Sequence, residues 1–166
     1  MGLSVKYLLP VLRKIQANEP LDMFTLEAEL SYTPIAQARS LGLTDEWVSR
    51  IEGIDSSRGR GTVVVVRRAT SGTKAFDLLE TGDVILTVNE AVTTHFDDIT
   101  KHTENGSLEL EILRKRKVIN VAVPLSLLDT KSTEHVVGWA GAVFQMPHKA
   151  VYQQIKSVPV GNTKFM

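Results

Sequence analysis

A chain of 166 residues has room for one ordinary domain, or for one small domain with an added element. Its 19 Lys plus Arg balance 19 Asp plus Glu, so no net field steers it toward nucleic acid or an anionic membrane, and a 43% apolar, 23% charged composition argues against a disordered chain. The absence of cysteine removes disulfides, thiolate zinc sites and a cysteine nucleophile, and the longest apolar runs are far too short for a bilayer. The chain reads as soluble, and an intracellular, reducing compartment is compatible with it.

In chain order, Val5, Leu8, Leu9, Leu12 and Ile15 form a helical stripe that Pro20 stops. Pro10 falls inside that stripe, so the spacing predicts a kink there or a start nearer Leu9. "MFTLEAEL" alternates as a strand. "TPIAQARSLGL" follows as a helix with Pro34 near its start and Gly42 at its end, and Thr44 caps a further turn of helix, "DEWVSRI". "SSRGRG" is a loop, and Thr62 to Arg67 is a β-branched strand. Thr73 caps a short helix, "TKAFDLLE". Gly82 and Asp83 then turn the chain into the strand Val84 to Val88, and Asn89 opens the next turn. "HFDDITKHT" is a short helix, and "SLELEILR" with "KVINVAVPL" is a hairpin across "KRK".

At least five strands, an antiparallel hairpin and too few crossovers for a doubly wound sheet give the fold class as α+β, a small, partly open β-barrel or sandwich of five or six strands with short helices. An N-terminal helix and a C-terminal strand-helix extension are added to it. In that tail, "WAGAVFQMPHKAVYQQIKSVPVG" repeats the order seen in residues 23 to 41: apolar strand, proline, short helix. A second copy that stops after one strand and helix cannot close its own core, so the tail is expected to pack on something or stay mobile. Exchange of the tail between chains would give a swapped dimer, which makes a homo-oligomer a candidate state.

The ordered series "TVVVVRRATSGTKAFDLLETGDVILTVNEAVTTHFDDI" plus hairpin resembles the PDZ domains of HtrA/Deg-type serine proteases over residues 21 to 128. "GLSVKYLLPVLRKIQANEP" is similar to the segment that leads from the protease domain into PDZ. "LEAELSYTPIAQARSLGLTDEWV" and "GWAGAVFQMPHKAV" resemble the fungal and plant group with duplicated protease and PDZ halves. The division this implies is a linker helix over 1–20, a PDZ-like domain over 21–128, a linker over 129–138, and the start of a second, truncated PDZ-like domain over 139–166. It also implies a parent endopeptidase active in protein quality control, with a nuclear or cytoplasmic location and, in the fungal branch, a link to cell death.

PDZ function is strand addition: an extended peptide joins a sheet edge beside a helix, and convergent backbone N–H groups take its terminal carboxylate. The resemblance places that loop at Met23, Phe24, Thr25, Leu26 and Glu27, with Thr25 where glycine is usual, and the opposing wall at Ile99, Thr100 and Thr103. A Cβ at Thr25 restricts positive φ and crowds a carboxylate. The bland alternative is that Phe24, Leu26, Phe96 and Ile99 are simply core. In the tail, Trp139, Ala140, Gly141 and Ala142 carry the loop pattern with its glycine, the alternative being an apolar strand with Gly141 at a bulge.

No GxSGG-type nucleophile stretch is present, since Ser71-Gly72 is followed by Thr73, so the sequence supplies no catalytic residues. His95, His102, His135 and His148 lack metal-ligand spacing, so neither a metal nor a cofactor is expected. Adjacent Asp97 and Asp98 read as solvated or as complements to a helix start, and "RGRG" and "RKRK" read as solubilising runs. The expected function is a non-catalytic peptide- or protein-interaction and regulatory region of an HtrA-like protease. Its partners would be peptide or protein C-termini, or neighbouring protease and PDZ domains, with neither nucleic acid nor membrane among them. The alternative is a degenerate PDZ that serves as a scaffold for interdomain packing and binds no free peptide.

Overall fold

The structure is a computed structural model that describes residues 5–21, 23–55, 61–103, 106–128 and 136–145. Helix α1 (Val5–Gln16) is followed by strands β1 (Phe24–Thr25) and β2 (Ala28–Pro34), then helices α2 (Ile35–Ser40) and α3 (Asp45–Asp55). Strand β3 (Thr62–Ala69), helix α4 (Lys74–Leu78), strands β4 (Val84–Val88) and β5 (Ala91–Val92) and helix α5 (Phe96–Thr100) come next. The hairpin β6 (Ser107–Arg114) and β7 (Lys117–Pro124), strand β8 (Ser126–Leu127) and a second hairpin, β9 (Val136–Trp139) and β10 (Ala142–Gln145), complete the described elements.

The body is a six-stranded antiparallel sheet in the order β2-β3-β4-β6-β7, with β5 added to β4. It is an open sheet, not a closed barrel, and the architecture is α+β as the residue pattern implied. β1 and β8 pair separately, Phe24 with Leu127 and Thr25 with Ser126.

Both faces of the central strands are covered, which is why "TVVVV" does not alternate. Val64, Val66, Ile85 and Ile112 point to a core shared with Ala75, Leu79 and Ile99, from α4 and α5 and the residue that follows α4. Val63, Val65, Val84 and Leu86 point to a second core, formed with Ile35 and Ala38 of α2 and Trp47, Val48 and Ile51 of α3.

Helix α3 is longer than the turn expected after Thr44, because Trp47, Val48 and Ile51 keep helical spacing onto the sheet. Thr44 does cap it, its Oγ1 accepting from Trp47 N–H at 3.4 Å. Thr73 likewise accepts from Phe76 N–H at the start of α4. α2 ends in a Schellman arrangement: Leu43 N–H donates to Ala38 C=O and Gly42 N–H to Arg39 C=O, with Gly42 at φ 108°. A Cβ on Gly42 would meet Arg116 Cγ at 2.7 Å, so this glycine is required by conformation and by space. α1 runs unbroken through Pro10, and its stripe of Val5, Leu8, Leu9, Leu12 and Ile15 is exposed.

The Gly82-Asp83 turn is the strongest polar feature of the body. The Asp83 carboxylate, 1% exposed, accepts from Glu80 N–H at 2.8 Å and from Arg114 Nε at 2.8 Å and a terminal guanidinium nitrogen at 2.5 Å. The same Arg114 nitrogen also donates to Leu78 C=O. Arg114 therefore joins the end of β6 to the α4–β4 turn, which corrects the reading of "RKRK" as only a solubilising run. Its pKa is raised, first by the hydrogen bond to Asp83.

In the tail, the expected single strand is a hairpin. Residues 136–138, read as linker, form the first strand, because Val136 and Val137 pair with Gln145 and Phe144. The helix expected after the proline lies outside the described residues.

Candidate functional site

β2 lies at the end of the sheet, with a ladder to β3 on one side. The bond from Ile35 N–H to Gly61 C=O sets the phase of that ladder. Ser31 and Thr33 therefore aim their main-chain groups at β3, while Leu30 aims its own toward the sheet edge.

Helix α5 stands beside this strand and is tied to it by aromatic contacts. Tyr32 of β2 stacks on Phe96 with ring centroids 4.0 Å apart, and its hydroxyl accepts from Phe96 N–H at 3.3 Å. His95 packs against the same Tyr32 ring at 5.5 Å.

The start of α5 explains the adjacent acids. His95 Nδ1 accepts from Asp97 N–H at 3.1 Å, and Asp98 reaches back to accept from His95 N–H at 3.1 Å and Thr94 N–H at 3.3 Å. This is a capping box with histidine in the place of serine or threonine. It assigns the proton of a neutral His95 to Nε2, because Nδ1 is the acceptor. Of the two readings offered for Asp98, the helix-start complement is the one observed.

The structure brings some of the expected site residues into this neighbourhood. Ile99 is buried in the core between α5 and the sheet, so its side chain supports the wall. Thr100 is exposed and Thr103 half-buried, and each hydroxyl donates to a carbonyl of its own helix region, Thr100 to Asp97 and Thr103 to Thr100.

The loop segment is extended where a carboxylate cradle would curl. Phe24 and Thr25 are paired with β8, and Met23 C=O accepts from Leu128 N–H at 2.6 Å. Thr25 is not among the positive-φ residues; the left-handed position has moved to Glu27, at φ 52°. Thr25 Oγ1 accepts from Glu27 N–H at 3.2 Å, and Glu27 C=O accepts from Thr70 N–H at 2.8 Å. Leu26 and Glu27 are both buried, and Met23 is exposed.

Trp139 ends β9, Ala142 begins β10, and Ala140 and Gly141 form the turn between them at φ 50° and 80°. This pair of positive φ values is that of a two-residue hairpin turn. All ten residues of this hairpin are exposed.

Sequence reasoning missed Tyr32 as a contact to α5 and His95 as a cap. The capping signal was present in the spacing of His95 and Asp98, had histidine been allowed as a cap. A separate concavity on the sheet, bordered by Arg50, Thr87, Glu90, Glu109 and Glu111, shares no residue with the β2–α5 region. Among the described residues no group of three or more histidines and acids is placed to hold a metal. No described helix is long and apolar enough to cross a membrane.

No protein-family model matches the chain. It is 33% identical over 160 residues to the pro-apoptotic serine protease NMA111 of Scheffersomyces stipitis, covering 96% of this chain and 16% of that protein. It is 31% identical over 162 residues to the protein of the same name from Aspergillus niger, covering 95% and 16%. The chain thus spans about a sixth of the length of these relatives. Among solved structures, the HtrA-type protease AlgW with a decapeptide matches with a TM-score of 0.53 at 22% identity, covering 78% of this chain and 37% of that one. A serine-to-alanine variant of AlgW with a decapeptide gives 0.55 at 21%, covering 76% and 35%. At that identity the likeness speaks for the fold. By homology along nearly its whole length, and by fold, the protein corresponds to a segment of the fungal HtrA-like serine proteases.

Proposed function

We propose that this protein is a PDZ-like interaction and regulatory region of an HtrA-like serine protease, binding extended peptide or protein segments by strand addition at β2 beside α5. The single observation that carries this reading is a strand at the sheet edge with a helix fastened alongside it by Tyr32 and Phe96. A ligand strand would hydrogen-bond along β2 and lay alternate side chains toward α5. Met23 to Glu27 would bound the groove at one end, and Thr100 and Thr103 would line its helical wall. Its partners would be protein termini or parts of neighbouring protease and PDZ-like domains. In the longer relatives such a module would serve an intracellular endopeptidase, nuclear in the fungal branch and acting in quality control and cell death.

A second reading has its own support. The hydrogen bond from Glu27 N–H to Thr25 Oγ1 and the pairing of Phe24 and Thr25 with β8 favour a scaffold that binds no free peptide. The hairpin at Trp139 to Ala142, as the beginning of a second copy, would then be an element for packing or exchange.

Titration of the protein with a fluorescent peptide library tests the two. Saturable binding that Thr100→Arg and Thr103→Arg weaken, without loss of stability, supports the interaction module. No saturation at any accessible concentration supports the scaffold.

A further inference from the structure

We propose that the β2–α5 groove selects internal extended segments over free carboxy-termini, and that Thr25 is the residue that sets this preference. The inference rests on the interaction reading above and specifies the ligand class for it.

A terminal carboxylate needs several backbone N–H groups converging on one point, as they do in a nest of alternating right- and left-handed residues. Phe24 and Thr25 are instead strand residues paired with β8, and successive N–H groups of a strand point to opposite sides. The N–H of Glu27 is directed at Thr25 Oγ1. The glycine-like conformation appears at Glu27, two residues beyond the position where a curled loop would need it.

Charge points the same way. Leu21 to Glu27 contains two acids, Asp22 and Glu27, and no base. The nearby Arg68 and Arg67 are both engaged by Glu29 of β2, at 2.8 and 3.0 Å. A carboxylate brought to this end would find neither convergent donors nor an uncommitted cation among these residues, and would lose its hydration without replacement. A continuing peptide brings a neutral amide there and carries no such penalty. The ligand this geometry fits is therefore an internal strand with apolar side chains at alternate positions, facing Leu30, Tyr32 and the α5 wall.

The test is an array of random peptides of about ten residues, enough to run the seven residues of β2, synthesised once with free C-termini and once as C-terminal amides. The unmodified protein is expected to bind the best amides several-fold more tightly than their free-acid twins. N-methylation at alternate amides in one of the two registers should abolish binding, because it removes the strand donors. In Thr25→Gly, the ratio of free-acid to amide affinity should rise, whatever the change in overall affinity. Equal binding of the two forms by the unmodified protein, or a preference for the free acid, would overturn the inference and leave the interaction reading intact. Tolerance of N-methylation in both registers would overturn strand addition at β2. Absence of binding to either array would overturn this inference and the interaction reading together.

Discussion

The two tryptophans mark two regions built on different physics. Trp47 is 8% exposed, sits in the core beneath the sheet and carries the Arg50 guanidinium 4.1 Å above its ring. Trp139 is 72% exposed, at the end of a hairpin whose Val136, Val137, Val143 and Phe144 are also exposed. The body has two cores and a polar clamp; the described residues of the hairpin form a ladder and are all exposed. An isolated two-stranded hairpin is marginal in water, so backbone pairing without a covered face gives a shape without much stability. The same contrast separates the two segments matched to the carboxylate loop, Met23 to Leu26 and Trp139 to Ala142. Phe24 to Leu26 is absorbed into the body, while Trp139 to Ala142 folds back on itself.

The largest expected effect comes from breaking the clamp of the body. Asp83→Ala leaves Arg114 half-desolvated and Glu80 N–H without its acceptor, and should cost about 3–5 kcal/mol in urea unfolding. The double change Asp83→Leu with Arg114→Met should recover most of that loss, since removing both charges removes the desolvation cost as well. Trp139→Ala and Phe144→Ala in the hairpin should fall within about 0.5 kcal/mol of the parent. A loss from these above about 1 kcal/mol would mean that the hairpin shares the cooperative unit of the body.

Gly42→Ala comes next, at about 1–2 kcal/mol, because it puts a side chain on a left-handed residue and presses on Arg116. Thermal melts of this variant, of Arg116→Gly and of the double variant separate the two causes: Arg116 is itself left-handed at φ 66°, so relief in the double beyond the gain of Arg116→Gly alone isolates the contact from the backbone term. Single-tryptophan proteins then sharpen the comparison spectroscopically. With Trp47 alone, emission should begin blue-shifted and move to the red in one cooperative step on unfolding. With Trp139 alone it should be water-like throughout.

Much of the body was legible because its signals are local. The Thr73 and Thr44 caps, the strand Val84 to Val88 and the hairpin across Lys115 and Arg116 each depend on residues within a few positions. What escaped was set by distance along the sequence. Tyr32 meets Phe96 across 64 residues, and Asp83 meets Arg114 across 31, so neither pair leaves a periodicity to read. Val136 to Gly138 read as linker because a three-residue apolar stretch takes strand form only through its partner at Val143 to Gln145. The loop at Thr25 shows a different limit. Absence of glycine was visible, but the shift of the left-handed position to Glu27 and the hydroxyl that turns back to its N–H are properties of the folded loop.

The smallest effect concerns acid. Hydrogen bonding to Arg68 first, and the charges of Arg67 and Arg68, hold the Glu29 carboxyl below its ordinary value of 4.5, and Lys115 does the same for Glu80, which lies 2.9 Å from its Nζ. A depressed folded pKa means that the unfolded state takes up the proton first. The contribution of each pair to stability is therefore complete above pH 4.5 and fades as pH falls through the lower, folded value. Both groups lie at the surface of the body, where solvent screening keeps such pairs weak, and raising the salt concentration should weaken them further. Urea midpoints measured between neutral pH and the acid limb should fall less steeply in Glu29→Gln and Glu80→Gln than in the parent. Equal slopes in all three would place the acid sensitivity of the body elsewhere.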